Sequence, residues 1–397
     1  MDILQRAQTI APDLVELRRD FHKHPETAFR EHRTATIVAE RLEELGYTVR
    51  RGVGRTGVTA ELGDGAEPVV ALRADMDALP IQEEGEHGYR STVPGVMHAC
   101  GHDAHTAGLL GTARLLVDLR VAGALPPGRV RLLFQPSEES TDEEGKSGAT
   151  RMMEDGAMEG VAAVAGLHVG GHLPSGKVFV KEGPLMAGSD DVRVEVLGRS
   201  SHAALPHEGV DALVLAAQGI LAAQTVVSRR LSPMENGVVT FGTVEGGAAP
   251  NVVPERIVLK GTVRYFNPDI RERLLDGVRE AFRSLEAQGG EVRMEVTPGY
   301  PPLVNHREST EVARRVATEL VGQDGVWKAE PMMGAEDFAI LAGAAPGVFL
   351  WLGAALPDPR EHHHPRFDID ESVLPLGAAL LAGIGRDLLH RCGEGDL

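Results

Sequence analysis

Four short apolar stretches, Gly57 to Leu62, Val69 to Ala74, Val130 to Phe134 and Val161 to Leu167, alternate with segments of helical periodicity. Continuous apolar runs of this length suit strands buried on both faces, so the expected fold is α/β: a mainly parallel sheet covered by helices. The residues just after each run carry the chemistry. Val69 to Ala74 ends at Asp75-Met76-Asp77, Val130 to Gln135 at Pro136-Ser137-Glu138-Glu139, and Val161 to Leu167 at His168. In open α/β sheets ligands bind beyond the carboxyl ends of the strands, so these polar residues are expected to converge along one edge.

Met97-His98-Ala99-Cys100-Gly101-His102-Asp103-Ala104-His105-Thr106 adds a thiol, three imidazoles and a carboxylate within one short stretch. Thiolate and neutral imidazole are the donors that borderline divalent metals such as zinc prefer. Cys100 and His102 can face one ion only from a turn, which Gly101 permits, and a helix is expected from about Asp103. The triplet His362-His363-His364 lies inside folded sequence and is read as the source of one further ligand. Cys100, His102, Glu139, His168 and one triplet histidine exceed what a single tetrahedral ion takes, with Glu138 and Asp75 beside them. They suit two ions about 3.5–4 Å apart sharing a water of lowered pKa. Neighbouring side chains of an extended segment point to opposite sides, so one of Glu138 and Glu139 is expected to ligate and the other to face the substrate. A carboxylate beside such a water is the general base a hydrolase needs.

The remainder of the chain divides around an insertion. Two helices are expected at the start, Ile3 to Phe21 and Thr34 to Leu45, with His22-Lys23-His24-Pro25-Glu26 as a solvated loop between them. From 186 to 297 the pattern becomes β-α-β-β-α-β, the ferredoxin-like order, long enough for a complete inserted domain. Residues 1–185 and 298–397 then form one discontinuous catalytic domain around it.

Bulk properties exclude several classes of partner. A formal charge of −18 argues against nucleic acid and acidic membranes. No apolar run approaches the roughly 20 residues of a membrane helix, since Gln218 and Gln224 interrupt Val210 to Val227. The start shows no basic region followed by an apolar run, so a cytoplasmic location is expected. Two cysteines cannot build a disulfide framework, and Cys392 is given no role.

Together, Leu72-Arg73-Ala74-Asp75-Met76-Asp77-Ala78-Leu79-Pro80, Met97 to Thr106, Phe134 to Glu139, Gly166-Leu167-His168 and His363-His364-Pro365-Arg366-Phe367-Asp368 resemble the two-metal amidohydrolases of the aminoacylase/carboxypeptidase family. The similar subgroup contains hippurate hydrolases, indole-acetyl-amino-acid hydrolases and N-acetyldiaminopimelate deacetylases. The resemblance implies an inserted lid that also dimerises, giving a homodimer or higher homo-oligomer. It implies metal ligation by Cys100, His102, Glu139, His168 and His363, a general base at Glu138, and a supporting carboxylate at Asp75. It further implies that His202 polarises the scissile carbonyl or holds the oxyanion, and that Asn251 and Arg264 meet the substrate carboxylate. The expected activity is hydrolysis of an N-acyl amino acid with two divalent ions, zinc, manganese, cobalt or nickel. Rival readings are a metallo-carboxypeptidase or dipeptidase with the same site, a non-catalytic metal-binding protein, and a structural dimer.

Overall fold

The computed structural model describes residues 2–63 and 68–397 of the chain. Eight strands form the main sheet, in the order Thr48–Val53, Gly57–Leu62, Arg129–Gln135, Val69–Asp75, Val161–Gly170, Gly347–Gly353, Val178–Val180, Val326–Lys328. Its centre is parallel: Val69–Asp75 pairs in that sense with Arg129–Gln135 and Val161–Gly170, which pairs likewise with Gly347–Gly353. Gly57–Leu62 departs from the expectation, running antiparallel to Arg129–Gln135 and to Thr48–Val53. Its link to Thr48–Val53 is a tight turn through Gly54 and Arg55, too short for a crossover helix.

Val69–Asp75 is buried at every position, as a strand covered on both faces must be. Helices His102–Val121 and Leu374–Glu394 pack on each other and on the sheet. The helix backbones come close at Gly111, where a Cβ would stand 3.0 Å from the Ala378 Cβ, and the Thr112 hydroxyl donates to the Ala378 carbonyl at 3.1 Å. The opening segment is broken rather than continuous, giving Ile3–Thr9 and Ala11–Lys23. Pro12 has no N–H to donate, and its ring would meet the carbonyl one turn back.

The chain separates into two compact units, each with its own apolar core. One comprises Met1–Leu185, Val304–Glu330 and Asp337–Leu397, the other Met186–Leu303 and Pro331–Glu336. The second unit therefore takes in 298–303 and 331–336, which the sequence placed with the catalytic part. Backbone bonds are the reason: Ala187 N–H donates to Met332 O and Gly334 O, Ser189 N–H donates to Tyr300 O, and Gly299 N–H donates back to Ser189 O. The second unit carries a four-stranded antiparallel sheet in the order Gly237–Gly246, Arg256–Tyr265, Gly188–Leu197, Glu291–Pro298, the ferredoxin-like arrangement. Helices Ala212–Thr225 and Pro268–Arg283 cover it and meet where Phe282 fills the space a side chain at Gly219 would need.

Among the described residues, two helical stretches are long and apolar enough to cross a membrane by length and composition, against the expectation of none: Ala212–Arg230 and Glu371–Glu394. Most of the apolar window of Glu371–Glu394 is buried in the first unit, so its hydropathy serves the core.

Candidate metal centre

The parallel strands of the first unit deliver their polar ends to one place. Asp75 pairs with Gln135 across the ladder, and His168 lies in Val161–Gly170 opposite Trp351. Cys100 and His102 enter from the helix that starts at His102. Gly101 makes this possible: its φ is 93°, and a Cβ there would stand 2.4 Å from the Val169 Cγ2. Only glycine fits.

Three donor groups overlap. Ligand-capable atoms of Cys100, His102 and His168 lie within 4.8 Å of one another, as do those of Cys100, Glu139 and His363, and those of His102, Glu138 and Glu139. Cys100 is common to the first two, His102 to the first and third, and Glu139 to the second and third. His168 Nδ1 donates to the Val169 carbonyl at 2.8 Å, which leaves Nε2 with its lone pair aimed at Cys100 Sγ, 3.5 Å away. Burial and the nearby His105 and His362 keep His168 far below the usual imidazole range, in the neutral form that ligates. Burial, with Glu139 and Glu138 alongside, pushes the Cys100 thiol well up, so a cation is needed to hold it as thiolate.

His102 provides the clearest test of fit. Its Nδ1 is held by Asp77, 2.9 Å from the carbonyl and 3.1 Å from Oδ1, while the buried Nε2 has no hydrogen-bond partner among the described residues. Carboxylate-oriented imidazole with the far nitrogen open is the usual arrangement of a metal-ligating histidine. Burial opposes charge on His102, but Asp75, Asp77 and Glu139 outweigh it and hold the imidazole up at about 10. The surroundings are built for positive charge. These donors fit a pair of borderline divalent ions.

The histidine triplet separates cleanly. His363 has a φ of 65°, donates its N–H to the Ala99 carbonyl at 2.7 Å, and brings Nε2 to 3.1 Å from Glu139 Oε1. His362 Nε2 bonds the Val169 carbonyl at 3.0 Å, and His364 Nδ1 accepts from the Arg366 N–H within its own turn. Only His363 is directed to the cluster.

Several expectations need correction. Glu138 and Glu139 do not diverge: both reach the neighbourhood of His102, because Ser137 has a φ of 44° and the segment bends instead of extending. Asp75 lies beside the donors, its Oδ2 3.8 Å from His102 Nε2. It accepts from Arg73, and its Oδ1 lies 2.6 Å from His105 Nδ1, while His105 Nε2 accepts the Val169 N–H at 2.9 Å. Both nitrogens of His105 are thus committed. His22 is not in a solvated loop but buried at the end of Ala11–Lys23, with Nδ1 2.7 Å from Asp103 and Nε2 3.2 Å from Glu83. Together with Arg18, which bonds Asp103, it fixes the start of the helix that bears His102.

Asp77 was missed as an organiser. Its Oδ2 also accepts the Glu139 N–H at 3.0 Å, so one carboxylate orients two members of the cluster. The Asp-x-Asp spacing after a buried strand was the only sign of it.

The remaining expected residues belong to the second unit. His202 is exposed on Ser201–His202, paired with Val252–Val253, and its Nδ1 accepts the Ala204 N–H at 3.0 Å. Asn251 is exposed beside it, with its carbonyl accepting the Ala203 N–H. Arg264 is half-buried and donates to the Met333 carbonyl at 2.9 Å.

Known proteins resemble the chain over nearly its whole length. N-acetyl-L-cysteine deacetylase of Bacillus subtilis is 39% identical over 98% of this chain and 91% of its own length. IAA-amino acid hydrolase ILR1-like 4 of Arabidopsis thaliana is 38% identical over 94% of this chain and 84% of its own. A solved Bacillus subtilis structure described as a dinuclear metal binding peptidase from the M20 family superposes with a TM-score of 0.85, at 35% identity over 96% of this chain and 99% of that one. The model of peptidase family M20/M25/M40 matches residues 71–387, and the chain belongs to that family.

Proposed function

We propose that this metal-dependent hydrolase cleaves the amide of N-acyl amino acids, releasing a carboxylate and a free amino acid. The observation that carries it is the junction of a thiol, imidazoles and Glu139 around an open His102 Nε2, with buried Glu138 alongside. Relatives named for N-acetylcysteine and IAA-amino acids support the substrate class.

Cys100, His102, His168, Glu139 and His363 would hold two divalent ions, whose chemistry when bound is polarisation of the carbonyl and acidification of water. Glu138 takes a proton from the attacking water and returns it to the amide nitrogen as the C–N bond breaks. His202 is assigned the developing oxyanion. The Ala204 N–H occupies its Nδ1, so the neutral ring carries its proton on Nε2, the form that donates. Asn251 and Arg264 are assigned the substrate carboxylate, for which a guanidinium fork is suited. Among metals, the thiolate and imidazole donors favour zinc, with manganese, cobalt and nickel admitted by the carboxylates. A reducing cytoplasm suits a site whose Cys100 must stay unoxidised.

Metal-stripped protein resupplied with zinc, manganese, cobalt or nickel tests this on acetyl, benzoyl, indole-acetyl and peptidyl amino acids. Metal-dependent release from the acyl substrates is expected, with His202→Ala lowering kcat and Asn251→Ala or Arg264→Ala raising KM. Release from the peptides alone would make the chain a carboxypeptidase or dipeptidase. No release from protein carrying two ions would leave a metal-binding protein.

Self-association through the second unit is part of the same proposal. Leu213, Val214 and Leu221 are exposed on Ala212–Thr225, and Gly237–Gly246 is an edge strand with Val244 exposed. Light scattering should give a particle of at least two 42.4 kDa chains. A monomer at micromolar concentration would remove this part.

A further inference from the structure

Among the described residues, four non-glycine positions have left-handed backbone: Phe29, Arg55, Ser137 and His363. Such conformations cost about 1–3 kcal/mol each and persist only where their surroundings enforce them. His363 belongs to the metal centre. The other three gather around one side chain that the mechanism does not use, Glu31.

Glu31 is fully buried. Its Oε1 accepts two backbone N–H groups, from Phe29 at 3.0 Å and from Ser137 at 2.9 Å. Its Oε2 accepts the hydroxyl of Thr56, the residue after Arg55. One carboxylate therefore ties the turn at Phe29 and the hairpin at Arg55 and Thr56 to the peptide that begins the bend carrying Glu138. From the other side, Asp77 Oδ2 accepts the Glu139 N–H at 3.0 Å. The backbone N–H groups of the residues before and after Glu138 are thus each claimed by a buried carboxylate from another part of the chain.

The bend has no slack elsewhere. A Cβ at Gly57 would meet the Pro136 Cδ at 2.7 Å, one at Gly148 would meet the Pro136 carbonyl at 1.6 Å, and Gly148 N–H donates to the Ser137 carbonyl at 2.8 Å. Ser137 Oγ donates to the Ser140 carbonyl at 2.8 Å. Packing fixes Pro136, but the orientation of the Ser137 peptide depends on what receives its N–H.

We propose that Glu31 is a positioning residue for Glu138: by accepting the Ser137 N–H it enforces the left-handed bend that turns Glu138 toward His102. This rests on the assignment of Glu138 as the base. Burial, with the nearby Asp77 charge, pushes Glu31 up to about 7, so a neutral side chain that keeps an oxygen in place is a fair substitute. Glutamine has that oxygen. Aspartate keeps the charge but stops one methylene short.

The test uses the metal-loaded full chain on a substrate it turns over. Glu138→Gln is measured first and alone, and a large loss there establishes the base. Glu31→Ala is then expected to lower kcat by about 10²-fold, with KM within about threefold and bound metal unchanged, since displacing a reacting group by an ångström costs this much. E31D should fall with it, and E31Q should recover most of the loss. Added to E138Q, E31A should change the residual rate by less than about threefold, because residues acting as one unit are non-additive. Should E31A fail to fold, the contrast between E31D and E31Q carries the same decision. Wild-type kcat in E31A or E31D, or the same loss from E31A with and without Glu138, would overturn the proposal. Wild-type activity in E138Q alone would remove the base assignment first, and this proposal with it.

Discussion

Replacing Glu138 by glutamine is expected to lower kcat/KM by about 10²–10⁴-fold, the usual contribution of a positioned general base, while metal content stays at the wild-type level. A thousandfold loss corresponds to about 4 kcal/mol of transition-state stabilisation. The substitution preserves shape and removes only the capacity to carry a proton. The backbone should not move, because Ser137 N–H and Glu139 N–H remain held by Glu31 and Asp77. The five assigned donors, Cys100, His102, His168, Glu139 and His363, are unchanged, and Glu138 enters only the donor group it shares with His102 and Glu139. Activity with weighed metal stoichiometry separates the outcomes. Loss of metal together with activity would make Glu138 a ligand, and retained activity would send the base role elsewhere.

The expectations that held rest on regularities the sequence states directly. Buried parallel strands appear as continuous apolar runs, so Asp75, the Glu138-Glu139 pair and His168 could be placed at one sheet edge from the chain alone. A glycine between Cys100 and His102 announces a turn. What could not be read were choices made by partners far along the chain. His102 and His105 stand one helical turn apart, and nothing local separates them. Asp75 and the Val169 N–H occupy His105 completely, whereas Asp77 takes one nitrogen of His102 and leaves the other open. The same holds for Glu138 and Glu139, whose common direction depends on a left-handed serine that no propensity would predict. His22 looked like a loop residue beside Pro25, and its burial is due to Asp103 and Glu83, both distant in sequence. At the unit boundary, residues 331–336 carry no pattern of their own, and their backbone bonds to Ala187 decide where they belong.

Chelation is expected to abolish turnover and to lower the thermal midpoint of the first unit by on the order of 5–10 °C, both restored when the ion is returned. Ligand present at about a thousandfold over its Kd contributes about 4 kcal/mol, and each kcal/mol moves the midpoint of a domain this large by about 2–4 °C. The shift should fall below that product for a reason visible in the site. Asp75, Asp77 and Glu138 are buried around the donors, with Glu139 largely so, and a cation balances them. Without the ion, His102 stands ready to supply positive charge, because Asp75, Asp77 and Glu139 hold its imidazole up at about 10 against the effect of burial. Proton uptake at that ring replaces part of what the metal contributed, so the unit loosens without unfolding. The assigned donors all lie in the first unit, and the second packs its own core around Val194, Leu259, Leu274 and Phe282, so its transition should stay where it was. Calorimetry of stripped and reloaded protein resolves the two cases. A midpoint that does not move while activity vanishes would mean that the apo cluster is already fully balanced and the ions serve chemistry alone. Activity that survives complete removal would end the metal-dependent reading.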